Sequence, residues 1–280
     1  MNDYCDKCGN EVEKTYEVIN QHNDYFYYCY DCYSDTRKII RFPFIKPIDA
    51  SEKKFYYGFE IEFELNKLPS KKHLNIYFKE TFEDKKDIVY TIDQDGSLSR
   101  LFGVEISTQP ISEDELYKIK DIYDYVNKYG FIENTRAALH INVDRRCISK
   151  LTLMKMFYFL SNNLLFTDFY SERNSNYYYC DLTNKREFIN KMLNKITEMK
   201  KYSGINLNYK ERYEFRIFNA TKNYKNAINK AKFIKRLANF LKTKSIQDIL
   251  SADDKLYYEF VELETSEILK EVKNNNIPQS

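Results

Sequence analysis

The sequence predicts an α+β protein built on a largely antiparallel sheet with helices packed on one side, preceded by a small N-terminal module. Two observations predict the sheet: most candidate strands come in pairs joined by short turns, and helical patterns lie between those pairs. Two cysteine pairs set the N-terminal module apart. We predict this module over 1–40, a linker over 41–54, the main domain over 55–245, and an acidic C-terminal helix and tail over 246–280.

The spacing of apolar residues predicts the elements of the main domain. Alternation with period two predicts a strand over 55–65 and a hairpin over 87–108 whose turn is Asp95-Gly96-Ser97. A capping box at Ser112 precedes an apolar helical stripe that ends at Gly130. The same patterns predict a strand over 138–144, helices over 150–166 and 184–201, a second hairpin over 205–218, and a basic helix over 224–243.

Composition argues against several classes of protein. The 280 residues carry 44 Lys and Arg against 42 Asp and Glu, so the overall charge gives no reason to expect nucleic acid as the main partner. No apolar run approaches the roughly 20 residues that cross a membrane, and the first residues lack the basic and apolar regions of a signal peptide. We therefore expect a cytoplasmic protein without a membrane partner.

Charge is unevenly distributed along the chain. Residues 1–36 carry eight acidic residues against two lysines, whereas residues 181–245 carry 17 Lys and Arg against five acidic residues. The tail from Ser251 is acidic again, with seven acidic residues against three lysines. The basic segment can therefore meet an anionic ligand or the acidic segments of the same chain, and both alternatives stay open at this point.

Four of the six cysteines form the pairs Cys5-x-x-Cys8 and Cys29-x-x-Cys32, which are 20 residues apart. Four thiolates at this spacing suit a tetrahedral Zn²⁺ ion, and two short strand patterns between the pairs predict a zinc ribbon. Disulfides are disfavoured in a reducing cytoplasm, and a redox dithiol needs only one pair. Because the ribbon is acidic, we expect a structural role or docking to a protein partner, and not binding to DNA.

The predicted strand over 55–65 carries a row of carboxylates. Glu60, Glu62 and Glu64 share one face, because side chains two apart on a strand point the same way. The opposite face is wholly apolar. An ordinary half-exposed strand also has a charged outer face, but three like charges in a row cost energy unless a cation or a basic partner offsets them.

Three later strands add polar groups of the same kind. Glu105 lies in a short apolar strand, where a carboxylate is costly unless it is paired or bound to a metal. His140 and Asn142 share one face of their strand. Glu214 and Arg216 also project together, either as a surface pair or as a metal ligand beside a phosphate clamp. Together these groups suggest a sheet face that binds Mg²⁺ and nucleotide phosphates.

The order of these motifs resembles the amidoligase family, which comprises carboxylate–amine ligases of phages and bacteria related in fold to glutamine synthetase and glutamate–cysteine ligase. The resemblance covers residues 55–245, and the ribbon lies outside it. A segment that starts at Ser171 is similar to the family's Arg-plus-Asn-Tyr segment, whereas Asn142 occupies a place where the family often has a second histidine. The motifs are G-F-E-I-E-F, D-G-S-L with G-V-E-I-S, H-I-N-V-D, and E-F-R-I-F-N-A-T.

The resemblance implies a glutamine synthetase-like core and ATP-dependent amide formation through an acyl phosphate. It implies Mg²⁺ bound by Glu60, Glu62, Glu105 and Glu214; catalytic roles for Arg216, Arg173 and His140; and ATP contacts from Arg216, His140, Asn142 and Asn176. The substrates would be a carboxylate and an amine, as small molecules or peptides. The alternatives are a non-catalytic scaffold whose ribbon docks a protein partner, and a different transfer reaction such as guanidino phosphorylation.

Overall fold

The computed structural model describes residues 3–6, 8–19, 25–29, 38–65, 81–95, 98, 103–132, 137–172, 181–200, 203–251 and 254–275. They combine helices with antiparallel strands, which confirms the α+β class. The chain divides into two compact units. The first unit is Met1–Lys46, Gly58–Ile111 and Lys118–Ala137, and the second unit is Pro47–Tyr57, Ser112–Tyr117 and Ala138–Ser280.

The strands of the described residues are β1 (Asp3–Tyr4), β2 (Glu11–Val12), β3 (Tyr16–Ile19), β4 (Tyr25–Tyr28), β5 (Lys38–Arg41), β6 (Tyr56–Leu65), β7 (Val89–Gln94), β8 (Gly103–Thr108), β9 (Ile111–Ser112), β10 (Gly130–Phe131), β11 (Ala138–Asp144), β12 (Ile205–Asn206) and β13 (Arg212–Asn219). Their α-helices are α1 (Lys120–Tyr129), α2 (Lys150–Asn162), α3 (Leu164–Ser171), α4 (Lys185–Met192), α5 (Tyr224–Lys242), α6 (Ile246–Leu250) and α7 (Asp254–Asn275). Short 3-10 helices lie at Glu83–Lys85, Glu113–Ile119 and Arg145–Cys147.

The first unit contains an antiparallel sheet in the order β6, β8, β7, β5. The hairpin of β7 and β8 is confirmed, and the Asp95 N–H closes it by donating to the Gly103 carbonyl at 2.9 Å. Of the predicted turn Asp95-Gly96-Ser97, the structure describes only Asp95, and Gly96 and Ser97 lie outside the described residues.

Residues within the predicted linker pack onto this sheet. β5 pairs with β7, and the next residue, Phe42, donates its N–H to the Tyr90 carbonyl at 2.8 Å. The fully buried Gln109 accepts the Ile45 N–H at 3.0 Å and donates to the Pro43 carbonyl at 2.8 Å. The side chain of Gln109 thus ties this segment to the end of β8. The domain boundaries stay predictions.

The apolar face of β6 is buried as predicted, with Phe59, Ile61, Phe63 and Leu65 between 0% and 4% exposed. Phe63 packs against α1, because its ring centroid lies 6.4 Å from that of Tyr125. The predicted stripe of the helix is also buried, at Leu116, Ile119, Ile122, Tyr123 and Val126.

Gly130 ends α1 for a reason that the sequence did not indicate. A glycine that ends a helix is often left-handed, but Gly130 is extended, with φ −128°, and pairs with Leu65 of β6. A Cβ atom at Gly130 would lie 2.5 Å from Cδ2 of Phe63. The position therefore requires glycine because β6 and its aromatic side chain approach closely.

Replacing Gly130 by alanine is expected to lower the free energy of unfolding by about 1–3 kcal/mol, because the added methyl group overpacks the contact with Phe63. Urea unfolding measures this change. Asp124→Ala on the exposed face of α1 is the control and should cost about 0.5 kcal/mol or less. Adding Phe63→Leu to Gly130→Ala should recover part of the loss, and a strictly additive double variant would contradict the overpacking explanation.

The second unit contains the antiparallel strands β12, β13 and β11 in that order, together with most of the helices. Two helix predictions were wrong in extent. The helix predicted over 150–166 is split at Asn163, whose side chain accepts the Phe166 N–H at 2.9 Å and caps α3. The helix predicted over 184–201 ends at Met192, and Asn194 adopts a left-handed φ of 56° just beyond it.

Candidate functional site

A row of three carboxylates crosses three adjacent strands of the first unit. Glu62 on β6 lies directly opposite Glu105 on β8, and Asp93 on β7 lies directly opposite Glu105 from the other side. Directly opposed residues of antiparallel strands point to the same face, with Cβ atoms about 5 Å apart. Glu60 lies on the same face, opposite Ser107. We call Glu60, Glu62, Asp93 and Glu105 the acidic row.

The electrostatics of the acidic row favour a bound cation. Desolvation raises the pKa of Glu105 well above its usual range, and the nearby carboxylates of Glu60, Glu62 and Asp95 raise it further. Glu62 is only 5% exposed, so the ordinary half-exposed strand is excluded at this position. A cluster of carboxylate oxygens is the donor set that suits a hard divalent cation such as Mg²⁺. The residues therefore fit the predicted ion.

Asp93 is the member of the row that sequence reasoning missed. It stands at the end of its strand pattern, next to a turn, and alone it has the appearance of a turn residue. The register of β7 on β8 is what places it opposite Glu105. The predicted hairpin could have revealed Asp93, because the correct register pairs it with Glu105 on the neighbouring strand.

A second polar cluster, formed by His140, Asn206, Glu214 and Arg216, lies in the second unit. Glu214 is fully buried, and its carboxylate accepts hydrogen bonds from Asn206 Nδ2 at 2.6 Å and Arg216 Nη1 at 2.9 Å. His140 Nδ1 lies 3.6 Å from the Oε1 atom that Arg216 contacts. We call this group the His–Glu–Arg cluster. Glu214 and Arg216 do project together as predicted, but burial excludes a simple surface pair.

Strand register and a bulge place these side chains. Asn142 and Asn206 both lie opposite Glu214, on β11 and β12 respectively. The register between β11 and β13 shifts between Leu139 and Ile141, at the position of His140. Bulges of this kind re-aim a side chain and are frequent beside functional sites. The arrangement holds the Arg216 guanidinium in a fixed orientation, as phosphate recognition requires.

Several cations of the basic segment are paired inside the second unit. Lys230 is 4% exposed and donates to Glu172 at 2.8 Å and to the Asn219 carbonyl at 3.0 Å. Other lysines form ion pairs in the same unit: Lys235 with Glu113, Lys242 with Glu52, and Lys244 with Glu259. Acidic groups of the same chain therefore meet part of the basic segment.

The cysteines at the N-terminus also come together. The sulfur atoms of Cys5, Cys8 and Cys29 all lie within 4.8 Å of one another. Three predicted site residues lie outside the described residues: Cys32, Arg173 and Asn176.

None of the helices in the described part of the chain is long and apolar enough to cross a membrane.

Comparison with solved structures finds a distant similarity, whereas two other comparisons find no match. No family model matches the chain, and no curated protein matches it. Among solved structures, the chain is similar to the glutamine synthetase of Plasmodium falciparum determined by cryo-electron microscopy, with a TM-score of 0.42 and 11% sequence identity. The similarity covers 69% of this chain and 52% of that one, so the chain spans about half the length of the enzyme it matches. We base neither fold nor activity on so distant a likeness.

Proposed function

We propose that the protein is an ATP- and Mg²⁺-dependent carboxylate–amine ligase that forms an amide bond through an acyl phosphate. The observation that carries the proposal is the acidic row, in which Glu62, Glu105 and Asp93 face one another across three strands. The buried Glu214–Arg216 pair supports it independently, because it supplies an oriented guanidinium for phosphoryl oxygens.

Three residues of the acidic row, Glu60, Glu62 and Glu105, would hold Mg²⁺. The resemblance adds Glu214 to these ligands. Bound Mg²⁺ supplies charge neutralisation on the β- and γ-phosphates of ATP. Both oxygens of Glu214 already accept hydrogen bonds, from Asn206 and Arg216. These contacts mainly support a role for Glu214 in orienting Arg216.

The His–Glu–Arg cluster would act on the transferring phosphoryl group. Arg216 donates to the γ-phosphoryl oxygens while a substrate carboxylate oxygen bonds to the γ-phosphorus and the bond to ADP breaks. An amine nitrogen then attacks the acyl carbon, inorganic phosphate leaves, and the amine loses a proton. His140, Asn142 and Asn176 are the proposed further contacts to ATP, and Arg173 is the proposed second cation at the phosphates.

Calorimetry of ATP binding tests the proposal. We expect wild-type protein to bind ATP only with Mg²⁺, and Glu60→Gln/Glu62→Gln to weaken that binding at least about tenfold, because the cation loses its ligands. Glu64→Gln is the matched control, since it makes the same change on the same strand opposite Gly103, outside the acidic row. Binding that is equal with and without Mg²⁺, or absent in wild type, would favour the scaffold alternative.

A further inference from the structure

The geometry of the N-terminal cysteines matches a metal site more closely than a redox pair. The Sγ atoms of Cys8 and Cys29 are 3.8 Å apart. A tetrahedral Zn²⁺ ion with Zn–S bonds of about 2.3 Å separates its sulfur ligands by about 3.8 Å. A disulfide would bring the sulfurs to about 2.05 Å. Cys5 and Cys29 are buried, at 1% and 9% exposure, whereas Cys8 is exposed at the edge of the cluster.

The backbone around the first cysteine pair forms a tight knuckle. The Gly9 N–H donates to the Cys5 carbonyl at 2.8 Å, and the Cys5 N–H donates to the Asn10 carbonyl at 3.0 Å. Gly9 has a left-handed φ of 73°, which other residues adopt only with strain. This turn brings the side chains of Cys5 and Cys8 to the same side, and the sequence indicated it through the glycine after the second cysteine.

Asp6 ties the knuckle to the strand that leads to Cys29. Its backbone N–H donates to the Tyr27 carbonyl at 2.8 Å, and its carboxylate accepts the Tyr27 N–H at 2.6 Å. Tyr27 stands two residues before Cys29. Both hydrogen bonds help to keep the first cysteine pair close to Cys29. Without a bound cation, the negative charge of the Asp6 carboxylate destabilises nearby thiolates. What Asp6 contributes to the site is therefore the position of the cysteines.

We infer that Cys5, Cys8 and Cys29 are ligands of a structural Zn²⁺ ion and that Asp6 is the positioning residue of this site. The sequence supplies the fourth thiol as Cys32, through the spacing Cys29-x-x-Cys32. Thiolate ligands are typical of structural zinc sites, so we expect this ion to stabilise the module and to take no part in chemistry. The site is independent of the ligase proposal.

Cobalt titration of the reduced full-length protein tests the site, because Co²⁺ bound by thiolates has intense tetrahedral absorption bands and a sulfur-to-metal charge-transfer band. We expect one Co²⁺ per chain, displaced by Zn²⁺, with both bands lost or strongly altered in Cys8→Ser. An octahedral spectrum, no bound metal, or a disulfide between Cys8 and Cys29 in the purified protein would overturn the metal site.

The role of Asp6 is tested by the affinity for Zn²⁺ in competition with a chelator. Asp6→Ala should weaken Zn²⁺ binding about 10- to 100-fold, as is usual when a partner outside the ligand sphere is lost, with the Co²⁺ bands unchanged in position. Asp6→Asn should restore most of the affinity, since its amide oxygen can still accept the Tyr27 N–H. Glu13→Ala is the control for charge, as Glu13 is exposed in the same module. Equal affinity in Asp6→Ala and wild type would overturn the positioning role.

Discussion

Replacing Glu105 by glutamine is expected to reduce the proposed ligase activity about 100-fold or more and, in the absence of Mg²⁺, to make the protein more stable. Activity falls because Mg²⁺, which would offset the phosphate charge, loses a ligand at the centre of the acidic row. Stability rises by about 1 kcal/mol, since Glu105 is directly opposed by two like charges, Glu62 and Asp93. Opposite changes in activity and stability are typical of functional sites.

The pH dependence of stability distinguishes the effect of the Glu105 charge from a general effect of the substitution on stability. The pKa of Glu105 is raised in the folded protein, mainly by desolvation, so the folded state holds a proton that the unfolded state releases. Its contribution to stability is therefore complete below the ordinary carboxyl pKa and is lost as pH rises through the raised pKa. Urea unfolding at several pH values, without Mg²⁺, should show this loss in wild type and not in Glu105→Gln. A variant that is less stable than wild type at neutral pH would contradict the prediction.

Replacing Arg236 by methionine is expected to lower the free energy of unfolding by about 3–5 kcal/mol, because the carboxylate of Glu264 would stay buried without its cation. Arg236 on α5 donates through Nε at 3.2 Å and Nη2 at 2.7 Å to Glu264 on α7. The side chains are only 8% and 4% exposed. The same two helices also meet through aromatic rings, with the Phe233 and Phe260 centroids 5.7 Å apart.

The double variant Arg236→Met/Glu264→Leu is the decisive comparison. It removes both charges together, so most of the lost stability should return. Lys120→Met breaks the exposed Lys120–Asp124 pair and serves as control, with an expected cost of about 0.5 kcal/mol or less. If the double variant were as unstable as Arg236→Met alone, the cost would lie in packing and not in the uncompensated charge.

Much of the candidate site was predictable from residues a few positions apart. The period of two placed Glu60 and Glu62 on one face of β6, and it placed Glu214 beside Arg216 on β13. The cysteine spacing and Gly9 predicted the knuckle in the same way. These features are local, because strand alternation and tight turns depend on neighbouring residues alone.

Only the tertiary structure decided which distant residues meet. The register of β7 on β8 added Asp93 to the acidic row, and β12 brought Asn206 onto Glu214. Likewise, the close approach of Phe63 requires glycine at position 130, and the backbone of Tyr27 provides the hydrogen-bond partner of Asp6. The sequence by itself determined most of the elements and which of their faces are apolar. Register, burial and close approach required the folded chain, because each depends on groups far apart in sequence that only packing brings into contact.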